Sequence, residues 1–232
     1  MAAKTQTHTL RINEIFHSVQ GESSWAGLEC VFVRMAGCHL RCSYCDTEYA
    51  FTEGTRRPVD EVLAEVLAFG SPLVELTGGE PLLQTDTFIL ERLLLDAGLH
   101  VLIETSGACD ISPCDPRSTI IMDIKTPSSG EAGRTDVENF ARLRSHDEVK
   151  FVIGTREDYA FACATIQEHN LIERVACVLF SPVHEQPKGL HISGQTGLEP
   201  RELVKWMLED HVAARLQLQI HKFIWPPSTR GV

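Results

Sequence analysis

The sequence has no long apolar run and no basic tract, and each absence excludes a class of protein. No stretch of about 18 or more apolar residues occurs, so we expect no membrane-spanning helix and no membrane association. Residues 1–9 are polar and lack the apolar core of a signal peptide, which predicts a cytoplasmic location. The net charge is −11, with 21 Lys and Arg against 32 Asp and Glu, and this disfavours direct nucleic-acid binding. A small-molecule partner is the expectation that remains.

Internal repeats and low-complexity tracts are also missing, and 232 residues suit one domain. Short β-branched runs alternate with amphipathic stretches. The predicted strands cover residues 29–34, 73–76, 101–103, 120–124, 149–153, 175–179 and 216–220. The predicted helices cover residues 59–68, 87–97, 137–144, 158–169 and 200–209. The alternation predicts an α/β fold, a single domain with an abbreviated, partial (βα)6-type barrel or parallel sheet.

The two ends of the chain are predicted to lie outside the core. We expect a flexible leader over residues 1–11, a core domain over residues 12–225 and a tail over residues 226–232. Pro226 and Pro227 open the tail because proline continues neither a helix nor a central strand.

Polar segments follow several of the predicted strands. Ligand sites of parallel sheets lie at the carboxyl ends of their strands, so these segments should meet at one rim. They are residues 77–80, 104–107, 125 and 181–182.

Three of the eight cysteines lie close together and follow the first predicted strand. Cys38, Cys42 and Cys45 form a C-x3-C-x2-C pattern, whereas the other five are scattered singly and read as small buried residues. Three thiolates in one loop are ligands for one soft metal centre. Structural zinc sites require four ligands, and no second Cys-x-x-Cys pair is present. A zinc-stabilised binding module nevertheless remains an alternative. An iron–sulfur cluster with one open iron fits three cysteines better.

The cysteine pattern resembles the cluster motif of the radical S-adenosylmethionine (SAM) superfamily. Gly78-Gly79-Glu80-Pro81 agrees with it, because it resembles the superfamily segment that receives the methionine amino group of SAM. Glycines let the backbone approach a ligand, and a carboxylate pairs with an ammonium. The resemblance implies a radical SAM barrel, a [4Fe–4S] cluster and SAM, which electron transfer cleaves to a 5′-deoxyadenosyl radical.

Further segments resemble one family within this superfamily. They are residues 12–23 (INEIFHSVQGES), 32–38 (FVRMAGC) and 45–47 (CDT), and the likeness extends to about Trp225. The family is 7-carboxy-7-deazaguanine synthase, of the 7-deazapurine (queuosine precursor) pathway. Membership implies a carbon–nitrogen lyase that converts 6-carboxy-5,6,7,8-tetrahydropterin to 7-carboxy-7-deazaguanine and releases ammonia. It also implies SAM as a reusable cofactor, Mg²⁺, a flavodoxin- or ferredoxin-like electron donor and a homodimer.

The resemblance also implies a set of ligand residues, and no catalytic residue beyond them. The expected substrate ligands are Val19, Gln20, Gly21, Glu22, Arg34, Thr77, His221 and Pro226, and the expected Mg²⁺ ligand is Thr47. The expected SAM ligands are Tyr44, Asp46, Gly78, Gly79, Glu80, Ser106, Asp123, Ile124, Lys125, Ser181, Pro182, Val183 and His184. Many members have Ser-Pro-Lys at positions 123–125 and Gln-Pro at 181–182, so this chain departs from the pattern there.

The chemistry of these side chains suits those roles. Gln20 and Glu22 supply the amide and carboxylate that read the planar edge of a pterin. Arg34 offers a planar fork for a substrate carboxylate. The Thr47 hydroxyl suits a hard cation that completes its shell with substrate and water oxygens. A glycyl-radical-activating enzyme shares the cysteine spacing and is the enzymatic alternative, although it must accept a protein loop as substrate.

Overall fold

The computed structural model describes residues 8–232, and a nine-stranded sheet runs through them. Residues 1–7 of the predicted leader lie outside the described residues. The strands are β1 (Thr9–Val19), β2 (Glu29–Met35), β3 (Thr55–Pro58), β4 (Leu73–Gly78), β5 (His100–Thr105), β6 (Thr119–Ile124), β7 (Glu148–Ile153), β8 (Cys177–Pro182) and β9 (Arg215–Leu216). Their order in the sheet is β3-β1-β2-β4-β5-β6-β7-β8-β9.

Helices connect most of the parallel strands. They are α1 (Val59–Ala68), α2 (Thr87–Asp96), α3 (Glu138–Arg142), α4 (Arg156–His169), α5 (Leu171–Arg174), α6 (Pro200–Glu209) and α7 (His221–Ile224). Three short 3-10 turns cover Glu48–Phe51, Pro81–Leu83 and Pro127–Ser129. Within residues 8–232 no helix is long and apolar enough to span a membrane.

The sheet is parallel from β2 to β9, as the strand–helix alternation predicts. In the described part of the chain its two edge strands, β3 and β9, do not pair with each other, so the sheet stays open. The predicted abbreviated α/β barrel is therefore confirmed as an unclosed one.

The antiparallel edge was not predicted. β1 pairs with β2 and β3 in antiparallel fashion and begins at Thr9, before the predicted core start at residue 12. Its side chains are mostly half-buried on both faces, so it lacks the regular apolar alternation that marks a strand. The predicted strand over 216–220 was wrong in its extent, because β9 ends at Leu216 and a helical turn begins at His221.

Alternation along the strands divides the sheet into two different faces. One face packs against the helices through residues such as Leu76, Ile103 and Phe151. On the opposite face a small apolar cluster, which includes Phe32 and Leu102, lies toward the amino ends of the strands. Nearer the carboxyl ends this second face carries polar side chains instead. These side chains are Glu75, Thr77, Glu104, Asp123, Lys150 and Ser181.

Candidate active site at the carboxyl ends of the strands

A cavity of about 640 Å³ opens at the carboxyl ends of the parallel strands. Its wall combines the polar strand residues with three chain segments: the loop after β1 (residues 20–28), the cysteine loop after β2 (residues 36–54) and the end of the chain (residues 219–232). The expected site residues that line it are Val19, Gln20, Gly21, Glu22, Arg34, Cys38, Cys42, Tyr44, Cys45, Asp46, Thr47, Thr77, Gly78, Gly79, Ser106, Asp123, Lys125, Ser181, Val183, His184 and His221. Residues that lie far apart in the sequence are thus brought to one wall.

Four expected ligands do not lie on this wall: Glu80, Ile124, Pro182 and Pro226. Ile124 points to the helix-covered face and packs in the core, because it alternates with Asp123 along β6. Pro182 is the buried last residue of β8. Pro226 does not line the cavity, whereas residues 227–232 of the tail that follows it do.

The three clustered cysteines lie on one wall as free thiols. Burial raises the pKa of the Cys42 thiol to about 11 despite the nearby charge of Lys125, and it also raises the pKa values of Cys38 and Cys45. Within residues 8–232 no three His, Cys, Asp or Glu side chains stand close enough together to share one metal ion. Three thiols that line one cavity suit the separate corners of an iron–sulfur cluster, whose positive irons would hold them as thiolates.

Two glycines let the loop after β4 pack on the cysteine loop. A Cβ atom on Gly79 would lie 2.1 Å from the Gly37 carbonyl oxygen, and one on Gly78 would lie 2.3 Å from the Met35 carbonyl oxygen. Backbone atoms cannot yield to such contacts. The Glu80 amide donates to the same Gly37 oxygen over 2.9 Å, so the two loops are fixed to each other.

The Glu80 carboxylate faces the protein and not the cavity. It accepts hydrogen bonds from the Thr105 hydroxyl (2.8 Å), the Ser106 amide (2.9 Å) and the Ser106 hydroxyl (2.6 Å), and also from the Leu82 amide (3.1 Å). The side chain is fully buried. Glu80 therefore acts in this structure by holding Ser106 and the Gly78-Gly79 turn against the cavity.

Two buried polar atoms beside the cysteines have no hydrogen-bond partner. These are the Tyr44 hydroxyl and the Asp123 Oδ1 atom, and both residues line the cavity. Lys125 lies 2.9 Å from the other Asp123 oxygen, with its ammonium 5.9 Å from the Tyr44 ring centroid. Unsatisfied buried polar atoms are costly, and a polar ligand would satisfy them. The donor set fits a zwitterionic molecule bound next to the cysteines.

Arg34 is held at another part of the wall by its neighbours on β1 and the cysteine loop. Its Nε donates to Glu14 over 2.8 Å, and the Tyr49 hydroxyl donates to the same carboxylate oxygen over 2.8 Å. Only 15% of the Arg34 side chain is exposed. The two terminal guanidinium nitrogens make no hydrogen bond to described residues, which leaves the planar fork available to an anion.

Gln20 and Glu22 lie in the loop after β1. The Gln20 amide donates to Glu75 over 2.5 Å, and its oxygen accepts from the Glu22 amide over 3.0 Å. Burial and the nearby carboxylates of Glu104 and Glu22 raise the pKa of Glu75 well above its usual range.

The end of the chain packs against this loop. The Ile220 amide donates to the Gly21 carbonyl over 3.0 Å, and a Cβ on Gly21 would lie 2.0 Å from His221 Nδ1. Lys222 lies 2.7 Å from Asp46, which joins the chain end to the cysteine loop. Arg230 contacts the Tyr49 ring at 3.7 Å and Glu53 at 2.9 Å.

The sequence analysis assigned no role at the site to five residues around the cavity, of which only Glu104 was expected at the rim: Glu14, Tyr49, Glu75, Glu104 and Lys150. A signal for three of them was present. Glu75, Glu104 and Lys150 each interrupt an apolar strand with a charge, and a charged residue in a buried strand points to a polar partner or site.

Comparisons with known proteins agree with the geometry. The model of the radical SAM superfamily matches residues 32–113. A protein from Koribacter versatilis named 7-carboxy-7-deazaguanine synthase is 46% identical over 228 residues, covering 96% of this chain and 100% of the relative. A protein of the same name from Chlorobaculum tepidum is 45% identical over 226 residues, covering 96% of this chain and 97% of the relative.

Two solved structures resemble the fold. The crystal structure of QueE from Escherichia coli has a TM-score of 0.70 at 21% identity and covers 90% of this chain and 93% of that one. Streptococcus suis SuiB bound to S-adenosylmethionine has a TM-score of 0.58 at 11% identity, covering 78% of this chain and 48% of that one. At these identities the two structures bear on the fold alone, and they confirm the predicted radical SAM fold.

Proposed function

This chain belongs to the 7-carboxy-7-deazaguanine synthase family of radical SAM enzymes, and we propose that its cavity converts 6-carboxy-5,6,7,8-tetrahydropterin to 7-carboxy-7-deazaguanine with release of ammonia. One observation carries the proposal. Three free thiols and the Gln20, Glu22 and Arg34 side chains line the same cavity. A cluster-bound cofactor and a small anionic heterocycle would therefore share it.

Cys38, Cys42 and Cys45 would hold the [4Fe–4S] cluster. When bound, the cluster and SAM together supply the radical chemistry of the reaction, which the side chains of the protein do not supply themselves. The protein would position the cluster, SAM and the substrate relative to one another, and its buried wall would limit the access of water.

The SAM site would lie beside the cysteines. The unpartnered Tyr44 hydroxyl and Asp123 oxygen support this placement, as does the Gly79 turn that lets the backbone approach a ligand closely. Asp46, Ser106, Lys125 and the stretch of residues 181–184 would complete the site. Glu80 would act indirectly, through the three hydrogen bonds that it accepts from Thr105 and Ser106.

The pterin would bind against the loop after β1. The Arg34 fork would take its carboxylate, because it presents parallel N–H donors to a planar anion. Gln20 and Glu22 would read the donor and acceptor edge of the ring, and Thr77 and His221 would contact it from the sheet and the chain end. The negative Glu22 carboxylate is an acceptor for ring N–H groups.

Thr47 would be the protein ligand of Mg²⁺. Its hydroxyl lies on the cavity wall, 3.7 Å from the sulfur of Cys45 and next to the Asp46 carboxylate in sequence. A hydroxyl and water are suitable ligands for a hard cation that also binds substrate oxygens. A homodimer, a flavodoxin- or ferredoxin-like electron donor and a cytoplasmic location complete the proposal, as the family resemblance implies.

Neither alternative function is favoured. The glycyl-radical-activating enzyme needs a protein loop as substrate, whereas this cavity presents Arg34 and Glu22 to a small heterocycle. The zinc-stabilised binding module does not account for relatives of 45–46% identity that carry the name of the synthase.

Anaerobic turnover tests the proposal. Reconstituted protein is incubated with SAM, Mg²⁺, a chemical reductant and carboxytetrahydropterin, and the deazapurine and ammonia are quantified. We expect both products to appear together and only when the pterin is present. SAM cleavage with no deazapurine and no ammonia would contradict the proposal.

A further inference from the structure

Lys150 occupies a buried position in the middle of β7. Its neighbours Val149 and Phe151 point into the helix-covered core, so alternation turns Lys150 toward the cavity. Only 5% of the side chain is exposed. A lysine ammonium at such a place must be paired, because an isolated buried charge is strongly unfavourable.

Three carboxylates surround the Lys150 ammonium. Glu22 lies 2.8 Å away, Asp123 lies 3.4 Å away, and the Glu104 carboxylate makes a direct ion pair with it. Burial acts to lower the pKa of Lys150, but the charges of Glu104, Glu22 and Asp123 raise it well above its usual range. Lys150 is therefore a permanent cation at working pH.

Lys150 connects two of the proposed substrate contacts. Glu22 comes from the loop after β1, and the Thr77 hydroxyl donates to the other Glu104 oxygen over 3.0 Å. The Lys150 ammonium thus contacts Glu22 directly, and it is linked to Thr77 through the Glu104 carboxylate. No other described cation lies within 4.0 Å of either glutamate.

Hydrogen-bond donors and charged groups from every neighbouring element surround the Glu22 carboxylate. Gln217 and Gln219 donate to its oxygens over 3.0 Å and 2.7 Å. The charged and titratable groups around it are Lys150 on β7, His221 on α7, Glu75 on β4, Glu104 on β5 and Asp123 on β6. Burial acts to raise the pKa of Glu22, but Lys150, His221 and the donated hydrogen bonds outweigh it and hold the pKa at about 2.

We propose that Lys150 is a positioning residue for the pterin: its ammonium keeps the Glu22 carboxylate anionic and fixes Glu22 and Glu104 on the cavity wall. The inference rests on the proposed function, because it assigns Glu22 to the substrate. Without the cation, at least three carboxylates would face one another in a buried space, and one or more would take up a proton. A protonated Glu22 would lose acceptor capacity toward ring N–H groups.

The test compares Lys150→Met with Lys150→Arg and with a control, Arg144→Met. Arg144 forms a partly buried ion pair with Asp147 over 2.9 Å and does not line the cavity, so its loss perturbs the fold without touching the site. Turnover is measured from pH 6 to 9 with the pterin varied, and iron content and thermal melting check each variant. Binding of the pterin to the wild-type holoenzyme is measured by calorimetry from pH 7 to 9.

For Lys150→Met we expect KM for the pterin to rise at least about tenfold, with a smaller change in kcat. We also expect kcat/KM to climb with pH in this variant, because Glu22 must now lose a proton in the assay range. Lys150→Arg keeps the charge and should keep the wild-type profile, with a smaller rise in KM. Wild-type binding should not change from pH 7 to 9.

Several results would overturn the inference. They are a Lys150→Met variant with KM within about twofold of wild type and an unchanged pH profile, the same changes in Arg144→Met, or wild-type binding that titrates between pH 7 and 9. If Lys150→Met does not fold, the Lys150→Arg profile and the wild-type titration decide. A wild-type enzyme that makes no product counts against the proposed function. An active wild type whose Lys150→Met variant keeps the wild-type KM and pH profile counts against the role of Lys150 alone.

Discussion

Arg34 of β2 and Thr77 of β4 are direct neighbours in the parallel register of the sheet. Both side chains face the same cavity, one with a charged fork and the other with a hydroxyl that hydrogen-bonds Glu104. Two residues 43 positions apart in the sequence are thus placed side by side by strand pairing. This pair forms the part of the wall where we place the pterin.

Arg34→Ala should weaken pterin binding while SAM cleavage without pterin stays measurable. Removing a desolvated charge partner of a carboxylate costs enough to raise KM about a hundredfold. Arg34→Lys is the matched variant and should recover only part of the loss, because it lacks the fork. Steady-state kinetics with the pterin varied provide the measurement, and loss of the cluster from Arg34→Ala would contradict the assigned role.

Cys42→Ala should abolish the brown colour of the anaerobically reconstituted protein. A [4Fe–4S] cluster predicts about four irons and four sulfides per chain in the wild type. Cys163→Ala is the control, since Cys163 lies on α4 and does not line the cavity. Iron and sulfide analysis decides the matter: one zinc without sulfide in the wild type, or a cluster retained in Cys42→Ala, would refute the assignment.

Thr47→Ala should change how turnover depends on Mg²⁺. Loss of the hydroxyl removes the proposed protein ligand, so a higher Mg²⁺ concentration should be needed for half-maximal rate. Thr52→Ala is a suitable control because Thr52 also lies along the cavity, at the other end of the 3-10 turn that Thr47 precedes. A Thr47→Ala enzyme whose rate follows Mg²⁺ as the wild type does would remove Thr47 from the metal site.

Glu91 on α2 should make the stability of the fold fall as pH rises. Its side chain is fully buried, one oxygen accepts from the Asp115 amide over 2.9 Å, and the other has no partner. Burial raises the pKa of this carboxyl to about 7 from the 4.5 of an exposed glutamate. The folded state therefore binds more protons than the unfolded state between these values, so the free energy of unfolding declines from about pH 4.5 to about pH 7.

The decline at Glu91 should amount to at most about 3 kcal/mol, and Glu91→Gln should remove it. Urea unfolding at several pH values measures the slope in both proteins. An identical pH dependence in wild type and Glu91→Gln would show that the carboxylate does not titrate in this range.

The parallel part of the fold and the cysteine loop could be predicted from sequence because their signals are local. Leu76 and Ile103 lie in short β-branched or apolar runs, and Cys38, Cys42 and Cys45 lie within eight residues of one another. β1 was missed because its half-buried side chains show no regular alternation. The pairing of β1 with β2 and β3 depends on residues of those other strands, which a local pattern does not contain.

The partners of buried charges could not be predicted for the same reason. Lys150 reads in sequence as one charge within a strand, and only the fold reveals Glu22, Glu104 and Asp123 around it. Glu80 shows the converse. Its motif implied a ligand contact, but strand packing places Thr105 and Ser106 where they occupy its carboxylate.

The most direct test of the account is a turnover measurement with SAM limiting. Reconstituted wild-type protein receives less SAM than carboxytetrahydropterin, and 7-carboxy-7-deazaguanine, ammonia and 5′-deoxyadenosine are quantified together. Because SAM is a reusable cofactor in the proposed reaction, the deazapurine and ammonia should form in equal amounts and exceed the SAM supplied. Cleavage of SAM without either product, or in step with modification of a protein partner, would contradict the account.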